Sequence, residues 1–135
     1  MAKKDKKFFE GLGRRKESVA RVRLTETEKD PGISINEKDL EVFLPILELK
    51  ETVTAPLRAT GMDKKFDITV RAKGGGVRGQ AEAIKMGLSR ALVKYNGEFH
   101  QTLKDLDYLK RDSRRKERKK PGLKKARRAA QWRKR

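Results

Sequence analysis

Residues 65–95 read KFDITVRAKGGGVRGQAEAIKMGLSRALVKY, and two periodicities meet inside them. Phe66, Ile68 and Val70 alternate with Asp67, Thr69 and Arg71, the period-two pattern of a half-buried strand. From about Gln80 to Tyr95 the repeat lengthens. Ala81, Ile84, Leu88, Ala91, Leu92 and Tyr95 make the apolar stripe of a long helix, with Glu82, Lys85, Ser89 and Lys94 on its flanks or outer face. Gly87 costs roughly 1 kcal/mol there relative to alanine, which is tolerable where a helix packs closely on a sheet. Asn96-Gly97 ends the helix. A strand passing through Gly74-Gly75-Gly76 into such a helix predicts a small α+β body, a sheet with packed helices.

The upstream residues supply the rest of the sheet. Phe8 and Phe9 are costly to leave in water, so folded structure is expected to start at 7–10. Gly11 and Gly13 bracket Leu12 and suggest a bulge or sharp bend. In 17–24, Ser18, Ala20, Val22 and Leu24 share one face, while Val19, Arg21 and Arg23 share the other, a second strand. Asp30-Pro31-Gly32 signals a turn, Ile33-Ser34-Ile35 a short strand, and Asn36 or Asp39 a helix cap. Leu40, Phe43, Leu44 and Leu47 have helical spacing, but Pro45 interrupts it and predicts two short helices or a kinked one. Residues 52–61 are ambiguous, compatible with a short strand before Pro56 and then a loop or a helical turn. Leu103, Leu106 and Leu109 suggest a last short helix.

Charge divides the chain more sharply than periodicity does. It has 135 residues, 37 Lys plus Arg and 19 Asp plus Glu, a net charge of +18. Residues 110–135 hold 15 basic and 2 acidic side chains, a net of +13, which leaves +5 for the other 109 residues. Residues 26–51 run the other way, with 8 acidic and 3 basic, and are not expected to face nucleic acid. The expected division is a basic lead over 1–7, a compact body over 8–109 and an extended basic tail over 110–135. With little but Leu123, Trp132 and three alanines as apolar residues, the tail lacks a core of its own and is expected to order only on a partner.

Several classes drop out. There is no run of 18 apolar residues to span a membrane, and Met1–Lys7 lacks the apolar stretch of a secretory signal. With no Cys and one His, neither a disulfide framework nor a Cys/His metal site is expected. His100 after a turn needs no catalytic explanation, and the carboxylates form no acid–base motif. No catalytic residue, cofactor, metal, membrane partner or obligate homo-oligomer is expected.

What remains is a polyanionic partner. In the tail, Arg114, Arg115, Lys116, Arg118, Lys119, Lys120, Lys124, Lys125, Arg127 and Arg128 space cations along the chain, followed by Arg133, Lys134 and Arg135. Lys offers a mobile point charge and Arg a fork matched to phosphate oxygens. Solvation alone, or a localisation signal, is the plainer reading. Trp132 is a candidate to stack on a base or to dock on the body. In the body, Arg14, Arg15 and Lys16 continue into Arg21 and Arg23 along one strand face. Arg71, Lys73 and Arg78 flank the glycines, which serve either as a tight turn or as a backbone cradle for phosphate. The glycines match neither nucleotide fingerprint, GxxxxGK[ST] or GxGxxG, so contact with a nucleic-acid backbone is preferred over a phosphate-binding enzyme. A general packaging protein or chaperone is the other alternative. A small body with a long cationic tail suits folded RNA better than a DNA groove.

Three blocks in order carry a resemblance: Gly13-Arg14-Arg15-Lys16-Glu17-Ser18-Val19-Ala20-Arg21-Val22; Gly74–Ile84 with Ser89-Arg90-Ala91-Leu92; and Arg111–Arg128 with Gln131-Trp132-Arg133-Lys134-Arg135. Together they resemble the family of the ninth protein of the small ribosomal subunit, bacterial or organellar type. The resemblance implies an α+β fold with a left-handed βαβ crossover and a long basic C-terminal extension. It implies a place in the subunit head, on 16S-type ribosomal RNA beside neighbouring head proteins, in the cytoplasm or in an organelle. It also implies that the C-terminal tip approaches transfer RNA in the peptidyl site, which here falls on Arg133, Lys134 and Arg135. The sequence departs from the commoner pattern at Glu17, Arg78, Glu82, Met86, Pro121, Trp132 and Arg133, none of which removes the basic tip.

Overall fold

A computed structural model describes residues 7–27, 29 and 31–111. The elements in chain order are β1 (Phe8–Arg15), β2 (Ser18–Glu26), β3 (Gly32–Ile35), β4 (Lys38–Asp39), α1 (Leu40–Phe43), α2 (Leu47–Thr60), β5 (Phe66–Lys73), α3 (Val77–Tyr95) and α4 (Phe99–Asp105). The strands form one mixed sheet in the order β1-β2-β5-β3-β4, antiparallel except for the β3–β5 pair. The α+β expectation therefore holds for the described residues. The expected extended tail, 110–135, lies outside them from residue 112 onward.

Alternation along β2 and β5 decides which face is covered. Ser18, Ala20, Val22 and Leu24 are buried, and Phe66, Ile68, Val70 and Ala72 meet them in register with Val22 opposite Val70. Ile84, Leu88, Ala91 and Leu92 of α3 close over this surface, with Leu49, Val53 and Leu57 of α2 and Leu103 of α4 beside them. Each fully buried aliphatic side chain contributes about 1.5–3 kcal/mol of transfer free energy. Among the described residues the opposite face of the sheet has no helix on it, and that is where the alternating polar residues point.

The β3–β5 pair is parallel, so the chain must cross over, and hydrogen bonding fixes the hand. When an upright L-residue strand is viewed from the side its side chain occupies, that residue's N–H and C=O point right. Val70 faces the helices, and its carbonyl accepts from Asn36 N–H at 2.8 Å. Thus β3 lies to the right of β5 as seen from the helical side. The connection through α1 and α2 runs over that side and steps left, which makes the crossover left-handed, against the usual preference.

Several local expectations need correcting. Gly11 and Gly13 make no bulge or bend, because β1 pairs in unbroken register from Phe8↔Thr25 to Arg15↔Ser18. They are small because α3 crosses there: a Cβ on Gly13 would lie 1.7 Å from the Ala83 carbonyl oxygen, and one on Gly11 2.0 Å from that of Gly87. Residues 52–60 contain neither strand nor loop, since α2 runs through Pro56 to Thr60. Its buried Leu49, Val53, Pro56 and Leu57 outweigh the missing donor at the proline. Ser89 is fully buried rather than on a flank or the outer face, its hydroxyl donating to the Lys85 carbonyl at 2.8 Å. Neither Asn36 nor Asp39 makes a side-chain cap. Asp39 sits at the cap of α1 without that bond, and the Asn36 amide instead bonds Ala72 N–H and C=O at 3.0 and 3.1 Å. Finally, α3 starts at Val77, three residues before the predicted Gln80, and the last helix ends at Asp105 with Leu106 exposed.

Candidate nucleic-acid interface

The register of the open sheet face gathers residues that are scattered in sequence. Across β1, β2 and β5, Arg14 stands beside Val19 and Lys73, Leu12 beside Arg21 and Arg71, and Glu10 beside Arg23 and Thr69. The strand ends at Arg15 and Lys73 lie together, so Arg14, Lys73 and the 74–76 turn share one end of the face. Arg21 and Arg71 come next along it. Phe8, Leu12 and Val19 are exposed among these cations, at 47%, 38% and 37%.

The charges are incompletely balanced. Glu10 takes Arg21 at 3.0 Å and Arg23 at 3.5 Å, and the Arg23 guanidinium also lies 4.7 Å from the Phe8 ring centroid. Arg71, directly across from Arg21, has no ion pair among the described residues. Like charges facing each other across a strand pair destabilise it, so the free protein carries a repulsion that an anion would relieve.

Not every cation of the sequence reading joins this face. Arg15 points to the helical side, where its Nε donates to Glu82 and its side chain is 12% exposed. Lys16 occupies the β1–β2 turn in a left-handed conformation, φ 52°. Arg78 heads toward the acidic α2, 3.9 Å from Glu48. All the tail residues of the reading, Arg114 through Arg135 with Trp132, lie outside the described residues.

The glycine turn has a packing explanation. Gly74 and Gly75 have φ of 73° and 62°, and a Cβ on them would lie 2.4 Å from the Glu17 carbonyl oxygen and 2.2 Å from Ser18 Oγ. The Gly74 carbonyl accepts from Ser18 Oγ at 3.0 Å and from Gln80 Nε2 at 3.1 Å. The turn is therefore clamped over the tip of the β1–β2 hairpin, which carries Arg14 and Lys16. Glycine here serves the tight-turn reading and brings Lys73 next to the β1 end.

Sequence reasoning missed Lys85, Tyr108, Lys110 and Arg111 as companions of Arg14. Helical periodicity places Lys85 on a flank or the outer face, and the step in charge at 110 divides Tyr108 from the two cations beyond it. An aromatic two residues before a basic pair was the available signal. Among the described residues no group of three or more His, Cys, Asp or Glu is arranged to hold a metal ion, and no helix is long and apolar enough to cross a membrane. His100 is exposed on α4.

Comparison with known families replaces the enzyme alternative with a structural role. A family model described as ribosomal protein S9/S16 matches residues 13–135, which takes in both the sheet-face cations and the whole basic tail. That family consists of structural proteins of the small ribosomal subunit rather than enzymes, and membership implies association with ribosomal RNA and ribosomal proteins. On a match covering nine-tenths of its length, the chain belongs to the ribosomal protein S9/S16 family.

Proposed function

We propose that this chain is the ninth protein of the small subunit, binding 16S-type ribosomal RNA in the head and reaching peptidyl-site transfer RNA with its C-terminal tip. The observation that carries the RNA contact is the open sheet face, where Arg21 opposes an Arg71 without an ion pair among the described residues, and the Glu10 carboxylate on Arg21 is shared with Arg23. Phosphates of a folded RNA neutralise that pair, and Leu12 and Val19 lie against sugar or base surface. Arg14, Lys16, Arg23 and Lys73 extend the same contact, while Arg15 and Arg78 act from its margins.

The body, 8–109, docks by this face, and the tail, 110–135, adds the larger share of charge. Residues Arg114 to Arg128 lie along ribosomal RNA, Trp132 stacks, and Arg133, Lys134 and Arg135 approach the transfer RNA backbone. Phosphate contacts position rather than specify, so selectivity comes from the shape of the RNA. The motif resemblance across all three blocks supports this assignment, and the packaging-protein alternative lacks a comparable observation.

Two measurements test it. On a sucrose gradient the chain co-migrates with small subunits at near-stoichiometric level after a moderate salt wash. Its absence from that fraction refutes the reading. Deleting 133–135 leaves incorporation intact but weakens retention of peptidyl-site transfer RNA, and equal retention on mutant and wild-type subunits refutes the tip contact.

A further inference from the structure

A cleft of about 580 Å³ opens between the end of β1, the first half of α3 and the segment 106–111. Arg14, Lys85, Lys110 and Arg111 line it together with Met86 and Tyr108. Its two carboxylates leave it cationic, since Glu82 is engaged by Arg15 and only Asp107 remains. Arg14, Lys110 and Arg111 have no ion pair among the described residues. The Lys85 ammonium lies 5.1 Å from the centroid of the half-buried Tyr108 ring. Cations beside an aromatic wall, over a floor containing a thioether, match a ligand that is part anion and part flat ring.

We propose that this cleft receives a single unpaired nucleotide of the ribosomal RNA. The base lies against Tyr108 and Met86, and the flanking phosphates reach Lys85 on one side and Lys110 and Arg111 on the other. Stacking on an aromatic and phosphate capture by nearby cations are the general means by which unpaired RNA is held. Arg111 directly precedes the 24-residue remainder of the basic tail in sequence, so a nucleotide seated here anchors the tail at its root. The β1 end then belongs to two contacts at once, with Arg14 between the open sheet face and the cleft. The proposal deepens the RNA-binding reading above and rests on it.

The test compares full-length proteins binding a transcript of the ribosomal RNA head domain over a salt series. Lys85→Gln/Lys110→Gln/Arg111→Gln is expected to weaken binding about tenfold or more. It also flattens the salt dependence by about two in slope, as loss of some three phosphate contacts requires. A control triple away from the cleft, Lys50→Gln/Lys64→Gln/Lys94→Gln, changes both quantities far less. Equal losses in the two triples overturn the proposal while leaving RNA binding intact. Failure of the wild-type chain to prefer the head transcript over an unrelated RNA sinks the parent reading instead. Tyr108→Phe keeps the aromatic wall and the affinity, and Tyr108→Ala, checked for a cooperative unfolding transition, lowers affinity several-fold. Equal affinity of both, or a misfolded alanine variant with a Tyr108→Leu replacement that binds normally, excludes stacking. Millimolar ATP displacing the transcript from wild type but not from the cleft triple marks a free-nucleotide site and overturns the RNA assignment.

Discussion

Glycines at 11, 13 and 87 show how much of this fold hangs on the absence of single Cβ atoms. Position 13 faces the Ala83 carbonyl and position 87 faces Val22 and the Gly13 backbone, with a Cβ there only 2.9 Å from Val22 Cγ2. Strand and helix approach so closely that neither side has a flexible group to move. Gly13→Ala is therefore expected to destabilise the protein by about 3 kcal/mol or more, read as a shift of the denaturation midpoint. Gly97→Ala is the control, since nothing lies within 4 Å of its Cβ position, and it should shift the midpoint by less than about 0.5 kcal/mol. At the same scale the sequence was legible as composition and opaque as cause. Gly11 and Gly13 before Arg14 signal a special backbone, but a bend and a close approach have the same signature until the partner is seen.

Among the elements, the β3–β5 pairing has the least length and the most consequence. β3 has four residues and is joined to β5 through a long crossover, so few ladder bonds hold it. Asn36 compensates by extending the ladder with its side chain, accepting from Ala72 N–H and donating to Ala72 C=O. It does this from φ 51°, a conformation that asparagine tolerates better than most residues. Asn36→Ala removes both bonds and keeps the unfavourable φ, with an expected cost of about 2 kcal/mol and faster hydrogen exchange at Ala72 and Val70. Unchanged exchange there would mean that the amide adds nothing to the pairing. The helix α2 makes the complementary point. Its apolar residues at 49, 53, 56 and 57 are in helical register, yet Pro56 argues locally against helix. Packing against α3 overrides that local preference, and Gly61 at φ 69° stops the helix.

The molecule as a whole distributes its charge across the sheet order. The β1–β2–β5 side carries Arg14, Arg21, Arg71 and Lys73, whereas the β3–β4 edge, α1 and the start of α2 carry Asp39, Glu41 and Glu48. Under the proposed RNA-binding reading one side meets phosphate and the other avoids it, and the arrangement trades stability for binding. Arg71→Gln is expected to stabilise the free protein by a few tenths of a kcal/mol, by relieving its repulsion with Arg21. The same change should lower affinity for the head-domain transcript several-fold. Loss of stability, or undiminished affinity, would remove Arg71 from the RNA contact.

The two strands, read over 17–24 and 65–71, the long helix after the glycines, the separation of charge and the family-bearing blocks were all determined by sequence alone. Each rests on neighbours within one period or on simple counting. Only the tertiary structure decided that Gly11 and Gly13 belong to a helix–strand crossing and that Arg21 and Arg71 face each other. The same is true of Arg15 and Arg78, which turn to Glu82 and Glu48, and of Tyr108, which joins Arg14 across a cleft. Those outcomes depend on strand register and on the hand of a crossover. Register and hand follow from side chains far apart in the chain packing against one another, and no local pattern encodes them.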